Sequence, residues 1–208
     1  MTTPIAVAKT KPLRISPRLE KEFETVVAIW ATNADTRTVD ALLLSWIKLE
    51  KQLRRLLCFL VYQHEMVDRF NKEDIVTILV ESENLSPRVF IAAIEALHVP
   101  TVKDMIGADH SRLHQAISKV RKLRNKIAHG QVTGLKLDAK ALEQHVHLII
   151  EWIAQLADGA HRAIGYDGLR RNTYRTAKLL PNAVAVAYPF ETTDEFKGWL
   201  KKIAEQKY

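Results

Sequence analysis

"VDALLLSWIKLEKQLRRLLCFLVYQ", residues Val39 to Gln63, is the stretch that decides the fold class. Leu42, Trp46, Leu49, Leu53, Leu56 and Leu60 recur at alternating steps of four and three. That period lines up side chains on one face of an α-helix. No glycine or proline interrupts the run. An apolar stripe of this length needs partners to cover it, so the segment predicts a long helix packed among others.

The neighbouring segments repeat the pattern. Upstream, Ser16-Pro17 is a helix-opening pair, a capping residue followed by the proline that suits a first turn. Leu19, Phe23, Val26 and Trp30 then mark a helix over about 17–31. Residues 33–38 are polar and read as a loop. Downstream, a shorter helix is expected over Lys72 to Glu83, and Ser86-Pro87 opens another with Phe90, Ile94 and Leu97 inward. Pro100 and Gly107 bracket a predicted loop.

Asp109 is expected to start a helix with Leu113, Ile117, Val120, Arg124 and Ile127 along one face, ended by Gly130 and Gly134. Asp138 caps the next, with Leu142, Val146, Ile149, Ile153, Leu156 and Ala160 on its inner face and Gly165 and Gly168 as its stop. The last forty residues hold a basic stretch, LRRNTYRTAK, a predicted strand in AVAVAY, and a closing amphipathic helix through Phe196, Leu200 and Ile203. The expectation is an all-α antiparallel helix bundle over residues 1–164, its core at about 39–164, with a small basic C-terminal extension over 165–208.

Composition agrees with that class. Only 7 Gly and 7 Pro occur in 208 residues, too few for a turn-rich β fold. The single cysteine, Cys58, has no partner for an internal disulfide and lies in the apolar run LLCFLVY, where it reads as a small core residue. The start, MTTPIAVAKTKPLRISP, lacks the apolar core of a secretory signal. No apolar run approaches the roughly 20 residues needed to cross a bilayer. A soluble, cytoplasmic chain without a membrane partner is therefore expected. The net charge of +7 favours an anionic partner, nucleic acid first.

Arg124 stands out because the preceding turns of its stripe carry Leu, Ile and Val. A guanidinium fully buried there without a partner would cost several kcal/mol. Two readings follow. Arg124 pairs with a carboxylate on a facing helix, Glu50 being the candidate, and is structural; or the stripe opens at this level onto a cleft or subunit interface and the arginine awaits an anion. His129 comes five residues later, about 500° around an ideal helix and so roughly 140° from Arg124. The two side chains meet if the helix loosens near Gly130, or if two copies face each other across a twofold axis.

The stretch RNKIAHG, Arg124 to Gly130, resembles the signature of the HEPN superfamily (higher eukaryotes and prokaryotes nucleotide-binding domains): an arginine, a polar residue and a histidine a few positions on. The helix-ending His-Gly pair, the placement between the two longest later helices, and the early helix SWIKLEKQLRRL extend the resemblance over about 39–164. It implies a metal-independent endoribonuclease, a toxin or an anti-phage or stress effector, working as a homodimer with a composite active site and needing no cofactor. Carried over, Arg124 holds the scissile phosphate, His129 transfers protons and Asn125 orients either the phosphate or the histidine. The implied products carry 2′,3′-cyclic phosphate and 5′-hydroxyl ends. An antitoxin protein is an implied partner. Some HEPN toxins carry, two residues after the histidine, a tyrosine through which they are silenced; Gln131 occupies that position here, so an antitoxin would act by another route.

Further residues support that site in the same reading. Lys119, Arg121, Lys122 and Lys126 surround the motif in sequence and make it positive, which suits RNA. His145 borders it from the next helix, its plainer reading being a core-edge histidine. Arg170, Arg171, Tyr174, Arg175 and Lys178 combine phosphate-binding cations with one stacking ring; the plain alternative is a solvated basic loop. His110 and His114 have the i, i+4 spacing of zinc ligands but no third ligand at a suitable distance in sequence, and read as a solvated helix start. Gly-rich phosphate loops, cysteine pairs and GxSxG motifs are absent, so an NTPase, a zinc module or a serine hydrolase has no support. The competing functional class is a non-catalytic helical module that binds nucleic acid or a protein, with Arg124 structural.

Overall fold

The computed structural model describes residues 12–64, 67, 72–81, 85–97, 100–130, 139–169 and 188–206. The fold is all-α, with no strand among the described residues. The helices are α1 (Glu20–Trp30), α2 (Arg37–Val61), α3 (Lys72–Glu81), α4 (Pro87–Leu97), α5 (Val102–Ile106), α6 (His110–Ala128), α7 (Ala139–Ile164) and α8 (Thr193–Glu205), with a 3₁₀ turn at Gly107–Asp109 before α6. No helix of the described residues is long and apolar enough to cross a membrane.

Every member of the α2 stripe, from Leu42 through Leu60, is buried. Each buried leucine contributes about 1.5–3 kcal/mol over leaving it in water. That contribution far exceeds the propensity differences among ordinary residues, so the stripe and not propensity fixes the helix. Cys58 is buried among them, as its apolar surroundings predicted.

The chain divides into two compact units, each built from two sequence segments: Met1–Lys48 with Ser111–Trp152, and Leu49–His110 with Ile153–Tyr208. In the first, Phe23, Val26 and Trp30 of α1, Leu42 and Trp46 of α2, Leu113, Ile117 and Val120 of α6 and Leu142, Val146 and Ile149 of α7 are all buried. Lys48 on α2 pairs with Glu22 on α1 at 3.2 Å. Both guanidinium Nη atoms of Arg112 on α6 donate to the carboxylate of Glu151 on α7. α1 opens later than Ser16-Pro17 suggested. Residues 17–19 form a turn in which the Leu19 N–H donates to the Ser16 carbonyl at 2.8 Å, and the helix proper begins at Glu20.

In the second unit, Gln52 on α2 is fully buried and its Nε2 donates to the carbonyls of Ile153 on α7 and Asp167, at 3.0 and 3.1 Å. α8 packs on α3 and α4, burying Phe196, Leu200 and Ile203 as its spacing predicted. Thr192 caps it by accepting from the Glu195 N–H at 3.2 Å. Phe59 stacks on Tyr166 with centroids 4.9 Å apart, and Phe190 packs against both Phe196 and Trp199.

The loop expected between Pro100 and Gly107 is instead largely the short helix α5. A capping box starts it: Thr101 Oγ1 accepts from the Asp104 N–H at 3.2 Å, while the Asp104 carboxylate accepts from the Thr101 N–H at 2.9 Å and from its hydroxyl at 2.7 Å. Val102, Met105 and Ile106, at i, i+3 and i+4, supply the buried face. The predicted strand in AVAVAY lies outside the described residues except for Tyr188, whose hydroxyl donates to the Leu60 carbonyl at 2.7 Å. Asp138 and Gly134 also lie outside them.

Candidate functional site

α6 carries the motif in its last turns. Its buried face is Leu113, Ile117 and Val120; beyond Val120, Leu123, Arg124 and Ile127 are only half-buried. The apolar stripe thus thins out where Arg124 enters it. The cost of a fully buried guanidinium does not arise, because the aliphatic stem can lie along the stripe while the head stays near water. Arg124 Nη1 donates to Asn125 Oδ1 at 3.1 Å, so neighbouring side chains of the motif are joined directly.

The helix closes at His129 and Gly130. The His129 N–H donates to the Asn125 carbonyl at 3.0 Å and the Gly130 N–H to the Ile127 carbonyl at 3.1 Å. Gly130 has φ +63°, the left-handed conformation that ends helices and that a Cβ disfavours. Asn125, Lys126 and His129 are exposed. The His129 imidazole has no hydrogen-bond or ion-pair partner among the described residues. Within one chain, then, Arg124 and Asn125 come together while the His129 ring stands apart in solvent.

The surrounding cations divide by face. Lys119, Lys122 and Lys126, spaced three and four apart, are exposed, whereas Arg121 is half-buried. On α7 the half-buried His145 has an imidazole pKa lowered from its ordinary 6.5, first by burial and then by the Lys119 charge. Its Nδ1 is buried without a hydrogen-bond partner. His147, two residues on, lies 3.9 Å from Glu143 along the same helix. Glu50, half-buried on α2, belongs to the second unit, whereas Arg124 belongs to the first. Arg170, Arg171, Tyr174, Arg175 and Lys178 lie outside the described residues, as does Gln131.

His110 opens α6 and His114 is exposed one turn later, its ring 6.4 Å from that of Trp152. Among the described residues no three His, Cys, Asp or Glu side chains converge as a metal site would require.

A second cluster escaped the sequence reading. Lys51, Arg54 and Arg55 flank the apolar stripe of α2 and line a groove with Val76, Leu79 and Val80 of α3. Their spacing of three and four put them on one helical face, but only the position of α3 shows that this face borders a cavity.

No protein family, no curated protein and no solved structure shows significant similarity to this chain.

Proposed function

We propose that this protein is a metal-independent endoribonuclease of the HEPN type, acting as a homodimer in the manner of a toxin or an anti-phage or stress effector. The observation that carries the reading is the end of α6: Arg124 bonded to Asn125, followed by an unpartnered, exposed His129 at a glycine-closed terminus. A fixed cation and a free imidazole, brought together from two chains, are the minimal apparatus for cleavage through the ribose 2′-hydroxyl. Arg124 holds the scissile phosphate and offsets the charge that develops on it. Asn125 fixes the guanidinium through its Oδ1.

The chemistry needs a base and an acid. One imidazole takes the proton of the 2′-hydroxyl as its oxygen attacks phosphorus. The bond from phosphorus to the 5′-oxygen breaks, and a second, protonated imidazole supplies the proton to that leaving oxygen. Each chain offers one His129, separated by about 140° of helix rotation from its own Arg124. A twofold pairing brings two arginines and two histidines to one composite pocket and meets that requirement. Lys119, Lys122 and Lys126 then provide sequence-independent contacts to the RNA backbone.

The test uses purified wild type, Arg124→Ala and His129→Ala with total cellular RNA and EDTA, followed by end-group analysis. Cleavage by the wild type alone, leaving 2′,3′-cyclic phosphate ends, is the expected result. Arg124→Ala is expected to lose cleavage while its thermal midpoint stays within a few degrees of wild type. Intact RNA throughout, together with a loss of a few kcal/mol of stability in Arg124→Ala, would instead assign the arginine to a structural role in a non-catalytic binding module.

A further inference from the structure

The groove between the C-terminal half of α2 and α3 has two chemically distinct walls. Lys51, Arg54, Arg55 and Cys58 form one, at the i, i+3, i+4 and i+7 positions of a single helical face. Val76, Leu79 and Val80 form the other. The cavity measures about 170 Å³, and no carboxylate lines it among the described residues. A low-dielectric aliphatic wall beside a cation focuses its field.

The cations are not equivalent. Arg55 Nη1 donates to the Leu169 carbonyl at 2.9 Å. Arg54 has no ion pair among the described residues; its guanidinium carbon lies 5.7 Å from the centre of the Phe90 ring, and its Nε is buried with no hydrogen-bond partner. A buried donor left unpaired costs stability, and an acceptor that reached it would offset that cost. On the other wall, Val80 is 57% exposed, one of the largest exposures of an aliphatic side chain among the described residues.

We propose that this groove binds an aliphatic carboxylate, with the carboxylate on the Arg54 guanidinium and the hydrocarbon on Val76, Leu79 and Val80. One unneutralised guanidinium matches one negative charge, and its fork geometry suits a carboxylate. Among the described residues the hydrocarbon wall consists of aliphatic side chains without an aromatic ring, which favours an alkyl body over a stacked base. The volume limits the ligand to a short or branched chain. A free short-chain acid and the C-terminus of a peptide ending in leucine share this chemistry. The site shares no residue with the Arg124 motif.

Isothermal titration of the full chain against sodium octanoate, octanamide and an acetylated peptide ending in a Leu-Leu carboxylate tests the assignment. At least one carboxylate is expected to bind one per chain, and which of them does so identifies the source. Octanamide, nearly isosteric but uncharged, is expected to bind at least about tenfold more weakly, as is octanoate to Arg54→Gln. Val80→Asp, at an exposed position, is expected to remove binding without lowering the thermal midpoint. Failure of both carboxylates to bind saturably would overturn the proposal. So would equal affinity for the amide, or an affinity unchanged in both Arg54→Gln and Val80→Asp. Arg54-dependent binding of a short RNA oligonucleotide without carboxylate binding would also overturn it and give the groove to nucleic acid.

Discussion

Arg124 and His145 show how much one neighbouring residue decides. Arg124 replaces an aliphatic residue at the point where burial of α6 gives way to half-exposure, and Asn125 supplies its first acceptor. A leucine at that position would extend the stripe but could not hold a phosphate. His145 is the converse, an imidazole whose charged form is disfavoured by burial and then by Lys119. The unfolded chain therefore takes up this proton on acidification before the folded chain does. The stability tied to neutral His145 is complete above the ordinary pKa of 6.5 and is lost as the pH falls from there through the lowered folded value. Lys119→Gln should move the His145 titration upward without restoring it fully, since burial is the larger cause. Following the His145 imidazole protons by NMR checks this, and an unmoved midpoint would remove Lys119 from the account.

At the scale of elements, close approach limits what each helix tolerates. Gly159 on α7 lies so near α5 that a Cβ would stand 1.9 Å from the Met105 carbonyl oxygen and 2.5 Å from its carbon. Both are backbone atoms and cannot turn aside. Gly159→Ala is expected to destabilise by at least about 1–3 kcal/mol, the usual penalty for forcing volume into a packed site. Gly198, inside α8, meets nothing within 4 Å. There the same substitution should stabilise by about 0.5–1 kcal/mol through helix propensity alone. Urea unfolding of both variants checks the pair, and equal effects at the two positions would refute the close approach of α5 and α7.

For the molecule as a whole, the net charge of +7 and the exposed lysines of α6 set the terms of any RNA encounter. Single-stranded binding weakens with salt at a logarithmic slope of about −0.7 per phosphate neutralised. Replacing Lys119, Lys122 and Lys126 together with glutamine should flatten that slope by about 2 units, measured by fluorescence anisotropy with a labelled oligonucleotide across a salt series. An unchanged slope would place the RNA elsewhere. Sedimentation of the chain at micromolar concentration should show a dimer, and cleavage should fall faster than linearly as the protein is diluted through its dissociation range. A monomer that cleaves in proportion to its concentration would exclude the composite site.

What the sequence determined by itself was the helical elements, because helical periodicity and end signals are local. The stripe from Leu42 to Leu60, the opening at Pro87, the left-handed stop at Gly130 and the buried face of α8 all rest on residues within a few turns of each other. α5 was legible too, in the Thr101-Asp104 pair and the apolar spacing after it, but the flanking proline and glycine obscured so short a helix. The motif's residue types were visible in RNKIAHG, whereas the half-burial of Arg124, the isolation of the His129 ring and the influence of Lys119 on His145 were not. Only the tertiary structure decided those, along with the contact of Gly159 with Met105 and the groove at Arg54. Each depends on which distant segment lies opposite a given face, and periodicity states that a face is covered without stating by what.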